Sequence, residues 1–228
     1  MDEPFRDPGI PDGEATSFRG LVGDEVAGTG DMVVEARDGE YVQRLTSRIG
    51  EAISGELEMR FGRVNGTVVA DHYRLQTFDG EQPVSVEEGW FRDRHVLQWG
   101  GEAQPYPRSV TPLLGCGVAL RGLEFREGSR HRFALWLANS AFWDVEVQVE
   151  RRQRIDVPAG PFDAWRVRAR PRFDAVAGPL DALVGAVLPP FRLHFDAAPP
   201  HRFLRFSFPT GPFPWNPRGV IEATKIDE

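Results

Sequence analysis

The chain has 228 residues, 41% of them hydrophobic, and a formal net charge of −7. That is enough apolar material for one sizeable core. Residues 1–40 carry eleven acids against three arginines, while the rest is nearly balanced at 24 bases and 23 acids. A neutral body with an acidic start excludes a nucleic-acid surface, which needs concentrated positive charge. Cys116 is the only cysteine, so an intramolecular disulfide, a CxxC pair and a thiolate metal cluster are all excluded.

The first residues, MDEPFRDPGIPDGEA, are acidic and broken by proline. Residues 1–13 are expected to form a flexible acidic arm on a single domain covering 1–228. The stretch has neither the basic start nor the apolar run of a signal peptide, which places the chain in the cytoplasm as written, or in the periplasm if a signal has been removed. No window reaches eighteen apolar residues, so no transmembrane segment is expected.

From residue 32 onward the hydrophobic period is two. Segments 32–36, 41–49, 55–64, 67–78, 84–91 and 95–100 alternate or are rich in β-branched and aromatic residues, as are 131–138, 143–157, 162–173, 201–208 and 219–226. Turn residues separate them every ten to fifteen positions. This predicts an all-β, mainly antiparallel fold, a large curved sheet or half-open barrel.

Asn65-Gly66 predicts a type I′ hairpin. It would pair Phe61 with Ala70, Met59 with His72 and Arg60 with Asp71, placing Met59, Phe61 and His72 on one apolar face. A histidine there is either a hydrogen-bonded core residue or a polar group inside a cavity, with Asp71 and Tyr73 beside it as further weak acid-base candidates. Glu87-Glu88 cannot act together, because adjacent strand residues point to opposite faces.

Gly115-Cys116-Gly117 reads as a tight loop with a buried structural cysteine. In FWDVEVQVERR, Asp144, Glu146, Gln148 and Glu150 fall on one side of a strand, with Trp143, Val145, Val147 and Val149 on the other. The next strand carries Arg166, Arg168, Arg170 and Arg172 at every second position. If the Pro158-Ala159-Gly160 turn keeps parity, the acids neutralise the arginines; otherwise the arginines form a rail for an anion.

One segment, GPLDALVGAVLPP (178–190), breaks the pattern. Gly178 and Pro179 start, and Pro189-Pro190 stop, a short apolar helix on the concave side of the sheet, a structural plug or a lid over a cavity. Leu183 and Val187 would face the interior.

The stretches VALRGLEFREGSRHRFAL, IDVPAGPFDAWRV, HRFLRFSFPTG and GVIEATKI resemble a family of uncharacterised bacterial β domains, usually exported, with a VPAGxF hairpin. Pro158, Ala159, Gly160 and Phe162 match that hairpin, and Pro161 stands where a small polar residue is usual. The family is similar in turn to the lipoprotein-carrier (LolA-like) half-barrels, whose curved sheet holds acyl chains. The resemblance implies no catalytic residues.

Catalytic, metal and nucleotide motifs are missing from the sequence, so no cofactor or metal is expected. Six tryptophans and a greasy helix favour an apolar cavity. The expected function is a binding or carrier protein for a hydrophobic small molecule or lipid, with Met59, Phe61, His72, Trp90, Trp136, Trp143, Leu183 and Val187 as lining residues. The alternative is a cofactor-free enzyme, cyclase- or isomerase-like, that positions an apolar substrate in the same cavity.

Overall fold

The computed structural model describes residues 4–96, 103–137, 141–172, 190–211, 213 and 215–227. The strands are β1 (Phe5–Arg6), β2 (Glu14–Val22), β3 (Glu25–Arg37), β4 (Glu40–Ile49), β5 (Ile53–Val64), β6 (Thr67–Asp79), β7 (Gln82–Trp90), β8 (His95–Val96) and β9 (Gln104–Pro105). After them come β10 (Thr111–Pro112), β11 (Arg130–Leu137), β12 (Ala141–Val157), β13 (Gly160–Pro171), β14 (Phe191–Asp196), β15 (Phe203–Pro209) and β16 (Arg218–Asp227). A continuous helical segment, 113–122, lies between β10 and β11, with its α-helical turn at Cys116–Ala119.

Fourteen of these strands form one sheet in the order β1-β6-β5-β4-β3-β2-β16-β15-β14-β13-β12-β11-β10, with β7 also beside β6. All pairs are antiparallel except β10 with β11. The chain therefore runs as two meanders, joined where β16 returns to lie against β2. The predicted fold class holds. The sequence reading missed β2 and β14, and the two-residue strands β1, β9 and β10.

The sheet curls until its ends meet, but side chains rather than backbone close the seam. Phe5 of β1 packs 4.9 Å from His131 and 5.7 Å from Phe133, both on β11. Trp136, also on β11, packs 5.2 Å from Tyr73 and 5.4 Å from Phe91. Edge-to-face rings bury large apolar area without the ladder geometry that closure by hydrogen bonds would impose.

Residues 4–13 are not a free arm. Phe5 and Ile10 are buried, and β1 pairs with the start of β6. Asp7 accepts from the Tyr41 hydroxyl at 2.5 Å and from Arg63 Nε at 2.8 Å, while Tyr41 accepts from the Ile10 backbone N–H. Burial raises the Asp7 carboxyl, but the bonds from Tyr41, the Gly9 N–H and Arg63 outweigh it and hold the group below the usual carboxylate range. The acidic composition was read as solvation; here one acid is the anchor.

The helix on the concave side of the sheet is 113–122, whose glycine-cysteine-glycine core was expected to be a loop. A Cβ at Gly115 would stand 2.9 Å from Met59 Sδ and 3.0 Å from the Phe61 ring, and one at Gly122 would stand 2.1 Å from the Arg6 carbonyl oxygen. Glycine is what lets this helix lie flat against β5 and abut β1. Cys116 is buried, as expected, and burial pushes its thiol up to about 12, so it is inert. The apolar segment 178–190, with Leu183 and Val187, lies outside the described residues apart from Pro190.

At the end of this helix Arg121 is 1% exposed and Glu14 of β2 is 3% exposed. Their bond is bidentate, Arg121 Nη1 to Glu14 Oε1 at 2.6 Å and Nη2 to Oε2 at 2.9 Å. Arg121 Nε donates to the Pro200 carbonyl at 2.8 Å, and Arg202 lies 3.3 Å from Glu14. One carboxylate thus joins β2, the helix and the β14–β15 connection. Glu14→Gln removes the charge and strands a buried guanidinium, so it is expected to cost about 3–5 kcal/mol in equilibrium urea unfolding. A loss below 1 kcal/mol would show that the pair does not hold the helix.

Candidate functional site

The predicted hairpin turn is present, with Asn65 and Gly66 both at positive φ, and Phe61 pairs with Ala70 as expected. A bulge then shifts the register, so that Arg60 pairs with His72 and Met59 with Tyr73. Tyr73 takes the core position and His72 turns to the convex face. There His72 Nε2 lies 2.9 Å from Glu88, and its ring stacks 3.9 Å from Trp90, itself 51% exposed. Neither His72 nor Trp90 lines the interior. Asp71 sits at the bulge, where its carbonyl accepts the Phe91 N–H.

Met59, Phe61 and Trp136 are buried, but beneath the helix or in the seam. Trp143 shares the face of Val145, Val147 and Val149 and is half-buried. These residues form the packed half of the concave side.

Beyond them, among the described residues, cover on the concave side falls off along the strands, from buried Met32 and Leu57 through half-buried Leu45 and Leu75. Strand register places Leu45, Leu57 and Leu75 side by side across β4, β5 and β6, with Met32 before them and Glu87 of β7 after. Four residues further along, Ile49 and Ile53 are paired and point the same way, and Ile49 is 61% exposed. Leu113 and Leu114, which open the helical segment, are also exposed, and the Leu114 carbonyl accepts from Gln43 Nε2, one row from Leu45. These residues make an aliphatic wall.

Opposite it stands an aromatic wall on β14 and β15. Phe191 and Phe206 stack at 6.0 Å, and Phe206 and Phe208 at 5.1 Å. Between the walls the register runs Phe206, Ile221, Gly20, Gly28, Ile49, so two glycines floor the gap. Gly30, Ser47 and Gly55 lie alongside. A trough of this kind has an apolar lining and room for a chain-like molecule along its floor. Sequence reasoning missed it because alternation marks which residues face inward, not where the filling helix stops.

Polar groups at the trough are few. Glu87 faces inward while Glu88 faces His72 outside, the opposition expected of adjacent strand residues. Burial pushes the Glu87 carboxyl up; burial and then Glu87 raise the Tyr73 hydroxyl. A separate cleft of about 160 Å³ at the seam, beside Arg6, Glu124, Arg130 and Leu123, is polar. Among the described residues no group of histidine, cysteine or carboxylate side chains has metal-binding geometry. No described helix is long and apolar enough to cross a membrane.

The convex face answers the question of the arginines. Glu150 bridges Arg166 and Arg168 at 2.5 and 3.3 Å, Arg168 donates to Gln148, and Glu146 lies 3.8 Å from Arg172. Trp165, Val167 and Ala169 face inward beneath them.

No family model matches the chain, and no curated protein matches it. Among solved structures, a β-barrel-like protein of the domain of unknown function DUF1849 from Brucella abortus superposes with a TM-score of 0.55 at 13% identity, covering 96% of this chain and 98% of that one. The chain shares that protein's fold. Two others align over the full length at lower scores. One is a protein named as exported, with a YmcC-like fold, from Bacteroides fragilis (TM-score 0.35, 7% identity, 99% and 100% coverage). The other is a protein named as a lipoprotein from Parabacteroides distasonis (TM-score 0.33, 9% identity, 99% and 100% coverage). The β-barrel-like fold it shares with the Brucella protein comes with a name that states no ligand, so the site has to be argued from this chain's own residues.

Between the paired arginines on the convex face, His194 of β14 is 7% exposed, and burial, then Arg205, Arg166 and Arg192, lower its imidazole to about 4. The unfolded chain takes up this proton near pH 6.5 and the folded protein only near 4, so the stability is complete above 6.5 and is lost as pH falls towards 4. The difference amounts to at most about 3 kcal/mol. Unfolding free energies of the protein and of His194→Gln, measured from pH 7 to pH 4.5, should converge as pH falls; a constant gap would contradict the assignment.

Proposed function

We propose that the chain is a binding or carrier protein for a hydrophobic small molecule or lipid, held in the trough between the Ile49–Leu45–Leu75 wall and the Phe191–Phe206–Phe208 wall. The observation that supports this most is the exposure of paired isoleucines on a concave, glycine-floored face, where a folded sheet ordinarily buries them. The lining is set by the register, and it is apolar on both sides. A curved sheet that wraps around helical segments and holds acyl chains is also the arrangement that the resemblance to lipoprotein carriers implies. In this reading Met59, Phe61 and Trp136 support the trough from behind and do not touch the ligand. The compartment belongs to the same proposal: a carrier of acyl chains works between membranes, in the periplasm.

A second reading rests on Glu87 and Tyr73. A carboxyl whose pKa burial raises, next to a buried phenol at the end of an apolar row, is the kind of group that general-acid chemistry uses. A cofactor-free enzyme acting on an apolar substrate would use it. Glu87→Gln separates the two: a carrier keeps its affinity, whereas an enzyme of this kind loses turnover and still binds.

The direct test uses a fluorescent fatty-acid analogue titrated into the purified protein. Ile49→Glu places a charge on the exposed wall, where it costs the fold little, and is expected to weaken binding at least tenfold. Met59→Leu, behind the helix, is expected to change affinity less than twofold. Equal affinities for the protein and Ile49→Glu would remove the trough as the site.

A further inference from the structure

The convex face carries a second, chemically opposite feature. Register sets Arg166, His194 and Arg205 in one row across β13, β14 and β15, and Arg168, Arg192 and Ser207 in the next. Glu150 and Glu222 flank this grid, and both are engaged: Glu150 by Arg166 and Arg168, Glu222 by Arg19 at 2.7 Å and Arg205 at 2.6 Å. Arg218 donates to Ser207 Oγ at 2.9 Å. Asp196, further along β14, accepts the Ala198 N–H. Six arginines thus surround two carboxylates, and among the described residues Arg192, exposed in the middle, contacts no acid.

Beneath Arg192 lies a polar group with unspent capacity. The Gln153 side-chain amide nitrogen is 3.0 Å from His194 Nε2. An amide nitrogen only donates, so Nε2 accepts and the imidazole proton sits on Nδ1. That Nδ1 is fully buried and has no hydrogen-bond partner among the described residues. A buried donor without an acceptor is costly, and uncompensated guanidiniums around it add to the cost. A single oxyanion relieves both.

We infer that Arg192, with His194 behind it and Arg205 and Arg218 beside it, is a binding site for a phosphate-type oxyanion on the convex face. The fork of Arg192 suits bidentate phosphate contact, and the Nδ1–H supplies a neutral donor that survives desolvation. The site is independent of the apolar trough, on the other side of the same strands. The phosphate can be a free ion or the headgroup of an anionic lipid.

Inorganic phosphate is titrated at constant ionic strength and followed by calorimetry and by the histidine imidazole signals in NMR. The expected result is saturable one-site binding that raises the pKa of His194, a tenfold or greater loss in Arg192→Gln, partial recovery in Arg192→Lys, and tighter binding in Glu150→Gln, which frees Arg166 and Arg168. Vesicles of phosphatidylglycerol, with phosphatidylcholine as control, distinguish the sources. Phosphate-competed binding that Arg192→Gln abolishes identifies a headgroup; phosphate binding without vesicle binding identifies a free ion. Non-saturable phosphate, equal affinity in Arg192→Gln, or an unmoved His194 signal would overturn the site.

Discussion

The contact between Glu14 and Arg121 decides what the rest of this molecule can be. A curved sheet of this size has a concave face wider than its own side chains can fill, so something must be held inside it. Here the helical segment 113–122 does so, and its end is fixed by a bidentate ion pair out of reach of water. The Pro200 carbonyl and Arg202 complete the set, so that neither charge is left unpaired. Such a pair adds little net stability over an apolar pair of the same shape, but a mismatched placement is strongly penalised. It therefore sets position: the helix sits over β5 and β15, and not over the row of Ile49 and Ile53.

That placement divides the concave face. Under the helix, Met59, Phe61, Met32 and Phe203 are packed at close range, and glycines at 115 and 117 bring the backbone down onto them. Beyond the helix the same strands continue with the same alternation, and their cover falls from half-buried Leu45 and Leu75 to exposed Ile49. Among the described residues, the packed half and the proposed trough follow from one sheet carrying a filler shorter than itself. The convex face has the reverse chemistry, acids and arginines in cross-strand pairs, with Arg192 left without one among the described residues, because Asp196, the acid of β14, lies further along and accepts the Ala198 N–H.

Much of the architecture was legible from period-two alternation, because burial on one face leaves that pattern in any strand regardless of topology. The Pro158-Ala159 turn was legible, but the neutralised arginines depend on a bulge between Val149 and Arg152, which shifts the register so that Glu146 lies opposite Arg170. What was not legible depended on single residues that break parity. One extra residue at Asp71 exchanged His72 for Tyr73 in the core, and no local signal distinguishes a bulge from a regular strand. Nothing local marks Leu120-Arg121-Gly122 as the end of a helix; the long-range partner at Glu14 fixes it there. Likewise Asp7 belongs to an acidic stretch whose composition suggests solvation, until Tyr41 and Arg63 are seen to claim it. The candidate site was read as apolar residues near the hairpin; the trough proposed above lies on the distal ends of the same strands.

The central claim is that the open half of the concave face holds an apolar molecule. Native mass spectrometry of the protein purified from its own host, followed by organic extraction of the same sample, tests this most directly. A stoichiometric adduct that appears in the organic phase, and is absent from Ile49→Glu prepared in parallel, is the predicted result. A single unliganded mass for both proteins, together with an empty extract, would contradict it.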